Sequence, residues 1–217
     1  MLSRQASSLP DFEKLLREHH FFIEKYREQA DFNTGSISLA TSVLLSALTA
    51  YFNPSIVAEV GTFIGRSTFA IAKAKWKVSS TRLQIHTCDS SNKINLMGFE
   101  ESCELNQYLK QSSTQMFKDL VDKGVLVDAF MIDGRLSSTD VSLFSQLCVK
   151  EFVIFLDDFE GIEKGVVNGL AIANHFGPKL QLFYPPSTAL LEQFGLIGVS
   201  TLAIMLPSSM IRLLPQG

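Results

Sequence analysis

The sequence predicts an α/β fold in which a mostly parallel sheet carries helices on both faces and is preceded by N-terminal helices. Two observations point there. The first part of the chain has apolar residues at helical spacing, and from about residue 53 onward the pattern changes to a short apolar run, a turn and a helical segment, repeated. A run–turn–helix repeat is what parallel strands with crossover helices produce. A third observation sets the size. The chain has 217 residues, of which 46% are hydrophobic and 19% charged, enough for one globular unit with a sizeable core.

The elements follow in order. Residues 8 to 30 read as an amphipathic helix, because Phe12, Leu15, Leu16, His19, Phe22, Ile23 and Tyr26 recur at helical spacing and Pro10 lies near the start. A more apolar helix is expected over 36–51, closed by Asn53–Pro54. The strands are expected at 55–60, 83–88, 106–111, 128–133, 152–157, 180–185 and 201–206. No clear long helix separates the last two runs, so they form a candidate antiparallel pair. No repeat, low-complexity segment or interdomain linker stands out. The expected organisation is a helical lid or dimer arm over residues 1–35 and one domain over 36–217.

Composition narrows the function classes. A formal net charge of −3 gives no electrostatic reason to expect a nucleic-acid partner. The first residues lack the apolar core of a signal peptide, and the stretch "ISLATSVLLSALTAYF" is shorter than a membrane span and carries several Ser and Thr. Cys88, Cys103 and Cys148 lack metal-ligand spacing and are expected to be reduced thiols. A soluble cytoplasmic protein with no membrane partner is the expectation.

The stretch "EVGTFIGRST", residues 59–68, lies at the end of the first expected strand. In an open parallel sheet, ligands bind beyond the carboxyl ends of the strands, where strand order reverses. A dinucleotide loop reads G-x-G-x-x-G, because a pyrophosphate must approach the backbone at a helix N-terminus. Here the spacing is E-x-G-x-x-x-G, from Glu59 through Gly61 to Gly65, with Phe63 and Ile64 filling the turn. Glu59 would repel phosphates and suits a ligand with an ammonium or sulfonium group. Gly61 would let the backbone touch it. Asp89, ending the second strand in "HTCDSS", is placed to accept hydrogen bonds from two ribose hydroxyls. Together these features describe an adenosine-bearing cation without phosphates, S-adenosylmethionine. Taken singly, a glycine pair after a strand is also a tight turn, and a strand-end Asp is also a helix cap.

With those residues in hand, the chain from about 36 to 206 resembles the class I S-adenosylmethionine-dependent methyltransferases. "EVGTFIGRSTFAIA" is similar to the first motif of the catechol and caffeoyl-CoA O-methyltransferase group. The resemblance implies a Rossmann-like seven-stranded sheet with an antiparallel last strand. It implies that Glu59, Gly61, Thr62, Phe63, Gly65, Ser67, Thr68, Asp89 and Ser90 surround the cofactor. Ser112 and Ser113 would lie near the adenine, and Asp133 beside the methyl group.

The fourth strand ends "MIDGR" and the fifth "FLDDFEG". In the strand order that the resemblance implies these are neighbours, so Asp133, Asp157 and Asp158 would converge. Three clustered carboxylates repel, and a divalent ion (magnesium, manganese or calcium) would resolve the repulsion while acidifying and aiming an acceptor hydroxyl. The arrangement resembles the metal-dependent O-methyltransferases of catechols, caffeoyl-CoA and macrolide sugars. It departs from them at Leu136, preceded by Arg135, where those enzymes carry Lys or His. It also departs in "SSNKINLMGFEESCELNQ", which looks short and irregular. His19 or His20 is a candidate replacement base, whereas His86 and His175 read as surface or packing residues. An alternative for Asp157 and Asp158 is the N-terminus of a following helix. The leading reading is transfer of a methyl group to a hydroxyl of a small molecule with a divalent metal, in a possible homodimer. The alternatives are a metal-independent methyltransferase on another acceptor and a catalytically idle cofactor binder. A nicotinamide enzyme is disfavoured, because G-x-G is absent.

Overall fold

A computed structural model describes residues 11–28, 36–74, 82–91, 93 and 103–214. Helix α1, Phe12–Glu28, buries Leu15, Leu16, His19 and Ile23 against α2, Leu39–Phe52. Every residue of α2 from Ala40 to Phe52 is buried, so this helix lies inside the molecule. Ser38 caps α2 by accepting from the Thr41 amide. Asn53 ends it in the left-handed conformation, and Pro54 prevents its continuation.

The strands are β1 Ile56–Val60, β2 Leu83–Asp89, β3 Cys103–Leu109, β4 Val127–Ile132, β5 Cys148–Leu156, β6 Leu180–Phe183 and β7 Ala203–Pro207. The helices between them are α3 Arg66–Lys73, α4 Ser113–Asp122, α5 Ser138–Leu147, α6 Lys164–Phe176 and α7 Thr188–Gln193. The seven strands form one sheet in the order β3-β2-β1-β4-β5-β7-β6. β1 to β5 are parallel, and β7 runs antiparallel to both β5 and β6. The expected antiparallel pair at the end of the chain is therefore present. Strand order reverses between β1 and β4, which makes their carboxyl ends the switch point of the sheet.

Side-chain alternation builds two cores. Val57, Ala129, Met131, Val153 and Phe155 face α1, α2 and α3, while Ala58, Val60, Phe130, Ile132, Ile154 and Leu156 face α4, α5 and α6. Because both faces are covered, β1, β4 and β5 read as continuous apolar runs. In the second core Phe130 lies 4.6 Å, centroid to centroid, from Phe144, and Phe117 stands edge-on to both.

Some boundaries differ from expectation. β3 occupies 103–109 rather than 106–111. It is an edge strand whose polar residues dilute the apolar signal, and Lys110 (φ 58°) and Ser112, the cap of α4, end it early. β5 begins at Cys148, four residues before the expected start, because its first half runs through the exposed Lys150 and Glu151. β6 stops at Phe183, before Pro185 and Pro186. β7 starts at Ala203 rather than 201. The ends of the expected first helix, 8–10 and 29–30, and most of the segment after β2 lie outside the described residues.

Candidate functional site

Gly61 follows β1 with φ 97°, a conformation that disfavours any side chain. A Cβ there would stand 2.8 Å from the carbonyl carbon of Asp133 and 3.0 Å from the Gly134 amide nitrogen. Gly134 meets the same contact from the other side, since its Cβ would lie 2.8 Å from Val60 Cγ1. The glycine expected to make room for a ligand is thus also required by the meeting of two strand-end loops. Gly65, at φ 90°, opens α3.

Under this loop, Glu59 is fully buried. Thr68 Oγ1 donates to its Oε2 at 2.6 Å and Thr87 Oγ1 at 2.5 Å. With the Thr87 proton so committed, the hydroxyl of Thr62, also buried, donates to Thr87. Burial pushes the Glu59 carboxyl above its ordinary range. The hydroxyls of Ser67, Thr68 and Thr87 oppose that rise, and the charge of Asp89 adds to it. Through Oε2, Glu59 ties β1, β2 and the head of α3 together, while its Oε1 is buried with no hydrogen-bond partner among the described residues.

Asp89 is partly exposed at the end of β2. Its Oδ2 accepts from the Phe63 amide at 2.7 Å and its Oδ1 from the Ser91 amide at 2.6 Å. Burial raises its pKa, but the hydrogen bonds from Ser91 and Phe63 and the charge of Lys93 outweigh burial and leave the carboxyl below its ordinary range. Each oxygen keeps a lone pair for a further donor. Ser90 is exposed beside it. Phe63 is held at φ 46°, and the Gln111 amide donates to the Asp89 carbonyl, which brings the head of α4 alongside. Ser112 there is exposed and forms a capping box with Gln115. Ser113 is buried and donates to Asp140 Oδ2 at 2.8 Å, so its hydroxyl is already used within the protein. Asp140 also accepts from Thr114 and from the Ser137 amide, joining the heads of α4 and α5. Sequence reasoning missed it.

Asp133, Asp157 and Asp158 do converge: each offers a carboxylate oxygen, and the three lie within 4.8 Å of one another. Neither Asp157 nor Asp158 is the N-cap of α6, a position that Glu163 occupies. Asp157 is buried, and its Oδ1 accepts from Thr201 Oγ1 at 2.7 Å. Burial raises the Asp157 pKa, and the neighbouring Asp158 adds to that. Burial, with the charge of Asp157, pushes Asp133 up to about 7.

A residue that the sequence does not single out enters this cluster. Lys164 Nζ lies 2.5 Å from Asp133 Oδ1 and 2.8 Å from Asp158 Oδ2. Burial alone would lower the lysine's pKa, but its bonds to the two carboxylates prevail and raise it, holding the ammonium charged. The donor set itself, three hard oxygens, suits a small divalent ion. With an ammonium already bonded to two of the three carboxylates, however, the cluster as folded does not fit one.

The expected replacement bases are elsewhere. His19 is buried between α1 and α2, with Nδ1 2.8 Å from Ser46 Oγ, and His20 pairs with Glu24 along α1. His86 is buried on β2 beside Tyr108, and His175 lies against Phe176 near the end of α6. The partly buried side chain of Leu136 packs against the second core.

A small cleft whose lining includes Ile37, Gly61, Thr62, Phe63, Ser67 and Asp133 marks the switch point. A much larger apolar cavity of about 830 Å³ lies between α1, α2, α7 and the β6–β7 edge, lined by residues such as Phe12, Leu48, Phe183 and Leu190. It contains none of the strand-end carboxylates, so the chemistry is assigned to the cleft. Among the described residues no helix is long and apolar enough to cross a membrane.

No protein-family model matches the sequence, and a search of curated proteins finds no match. Solved structures do match in fold. The O-methyltransferase from Bacillus cereus in complex with S-adenosylhomocysteine aligns with a TM-score of 0.59 at 14% identity, over 88% of this chain and 91% of that one. The Podospora anserina methyltransferase PaMTH1, bound to S-adenosylhomocysteine, aligns at 0.53 and 13% identity, over 92% and 88%. The O-methyltransferase TomG from Streptomyces achromogenes, in complex with S-adenosylmethionine, aligns at 0.51 and 13% identity, over 88% and 89%. The chain has the Rossmann-like fold of the class I S-adenosylmethionine-dependent methyltransferases. The solved structures that share this fold with it include O-methyltransferases.

Proposed function

We propose that the protein binds S-adenosylmethionine across the ends of β1, β2 and β4 and transfers its methyl group to a hydroxyl of a small molecule. The observation that carries this reading is the placement of Asp89, Gly61 and Asp133 together at the switch point, with the Asp89 carboxylate ionised and its spare lone pairs available.

The bound cofactor supplies an electrophilic methyl carbon on a sulfonium. The chain's part is positioning, because the displacement is in-line and gains most from a fixed approach. Asp89 would receive the ribose hydroxyls. The loop from Gly61 to Gly65, held by the Asp89–Phe63 bond, would line the methionine end. Asp133 and Asp157 would take up the proton that an acceptor hydroxyl releases. Of the residues expected to contact the cofactor, Thr68 and Ser113 would act from beneath by shaping the loops, since both are buried and hydrogen-bonded within the protein, whereas Thr62 lines the cleft.

The metal-assisted version expected from the sequence would use Asp133, Asp157 and Asp158 as oxygen ligands. Lys164 stands against it, since its ammonium is already paired with Asp133 and Asp158. A second reading, methylation of an amine, is favoured by the charge of the cluster, where three carboxylates face one ammonium and would attract a cationic acceptor.

The test is incubation with isotopically labelled S-adenosylmethionine and a panel of small phenols, sugars, carboxylic acids and amines, with and without chelator, read by mass spectrometry. Label in a hydroxyl compound supports the first reading and label in an amine the second. Cofactor binding with no labelled product across the panel would contradict both and favour an idle binder.

A further inference from the structure

We propose that Lys164 is a built-in counter-cation that takes the place of a divalent ion among Asp133, Asp157 and Asp158, so that the site works without metal. The inference rests on the methyltransferase reading for its functional meaning only.

The geometry carries it. The ammonium touches Asp133 Oδ1 at 2.5 Å and Asp158 Oδ2 at 2.8 Å. A calcium ion would sit about 2.3–2.6 Å from such oxygens and a magnesium ion about 2.0–2.1 Å, so lysine and ion would claim the same space. The third carboxylate, Asp157, takes its hydrogen bond from Thr201 instead. Every carboxylate in the cluster thus has a partner that the protein itself provides.

The sequence fixes the root of the lysine. Lys164 is the first residue of α6, where the helix dipole disfavours a positive charge. The paired carboxylates offset that cost. The next residue, Gly165, packs on the strand-end loop itself: a Cβ there would lie 2.1 Å from the Asp157 carbonyl oxygen and 2.7 Å from the Asp158 carbonyl carbon. Only glycine lets the head of α6 approach so closely, and that approach delivers the neighbouring lysine to the carboxylates. Asp158, at φ 51°, adopts the left-handed conformation in the same turn. An entering divalent ion would have to break both ion pairs and expel an ammonium whose side chain is only 27% exposed.

The experiment is a manganese titration of the full chain, followed by the loss of the free-ion electron paramagnetic resonance signal, with no cofactor added. Wild-type protein should show no saturable binding below about 1 mM, at the weak end of oxygen-ligand sites. Lys164→Met and Lys164→Gln should each gain one manganese site, at least tenfold tighter, and adding Asp158→Asn should abolish it. Saturable micromolar binding by the wild type, changed less than threefold in the lysine variants, would overturn the proposal, because the ion would then displace the lysine freely. Binding by neither wild type nor variants would also overturn it, since the carboxylates would then frame no place for an ion. If thermal melts without metal show both lysine variants unfolded, the melts are repeated with about 1 mM manganese: a raised melting temperature in the variants upholds the proposal, and no change overturns it. Because S-adenosylmethionine takes no part, this result and the cofactor-binding result fail independently.

Discussion

Gly61 and Asp133 meet backbone to backbone at the switch point of the sheet, so that a Cβ on the glycine would stand 2.8 Å from the aspartate's carbonyl carbon. One residue therefore answers to both the turn (φ 97°) and the neighbouring loop. Gly61→Ala should lose about 2–5 kcal/mol, combining a strained backbone with a clash that the loop cannot absorb cheaply. The midpoint of urea unfolding measures this. An alanine variant as stable as the wild type would show that the two loops do not press on each other.

Asp89 does two jobs, holding the Phe63 and Ser91 amides and presenting an ionised carboxylate. Asp89→Ala should weaken binding of S-adenosylhomocysteine at least tenfold, since each hydrogen bond to a charged acceptor contributes about 1.5–3 kcal/mol. Calorimetric titration of the variant checks it. Unchanged affinity would move the ribose site away from β2.

Gly165 and Gly169 lie one turn apart on α6 and should respond differently to alanine. At Gly165 the added Cβ meets backbone at 2.1 Å, whereas at Gly169 it meets the end of the Phe159 ring at 3.0 Å. Gly165→Ala should cost about 3 kcal/mol or more. At Gly169 the gain in helix propensity, about 1 kcal/mol, offsets the push on a ring that can shift. Equal melting temperatures for the two variants would contradict this packing.

His86 supplies a pH dependence. It is buried on β2, and both ring nitrogens lack hydrogen-bond partners among the described residues. Burial is the largest influence and lowers its pKa. The charges of Glu104 and Asp119 oppose that and the charge of Lys123 reinforces it. A histidine whose folded pKa is depressed contributes stability that is present above its unfolded pKa and lost as pH falls through the folded one. The urea midpoint should therefore fall between about pH 6.5 and more acid values, and His86→Phe should show a smaller fall over that window. Parallel curves for the two proteins would place the acid sensitivity elsewhere.

How much was legible follows from the physics of each residue. Gly61 and Asp89 sit at the ends of apolar runs, so reading the runs placed both at the strand ends where the candidate site lies. The carboxylates of Asp133, Asp157 and Asp158 converge for the same reason, once strand order is known. Lys164 was not legible, because it stands six positions beyond Asp158 and reaches the cluster only through the close packing of Gly165. Asp140 escaped notice because its role depends on the heads of α4 and α5 being adjacent, a tertiary fact. β3 was misplaced because an edge strand with an exposed face carries little apolar signal. The bonds of Glu59 Oε2 to Thr68 and Thr87 were not legible, as they depend on which face of β1 it shares with Val57.

The most direct test of the account is calorimetric titration of the wild-type protein with S-adenosylhomocysteine, and separately with NAD. The loop lacks the second close glycine that a pyrophosphate needs. The account predicts one saturable site for S-adenosylhomocysteine and none for NAD. Binding of NAD, or of neither compound, would contradict it.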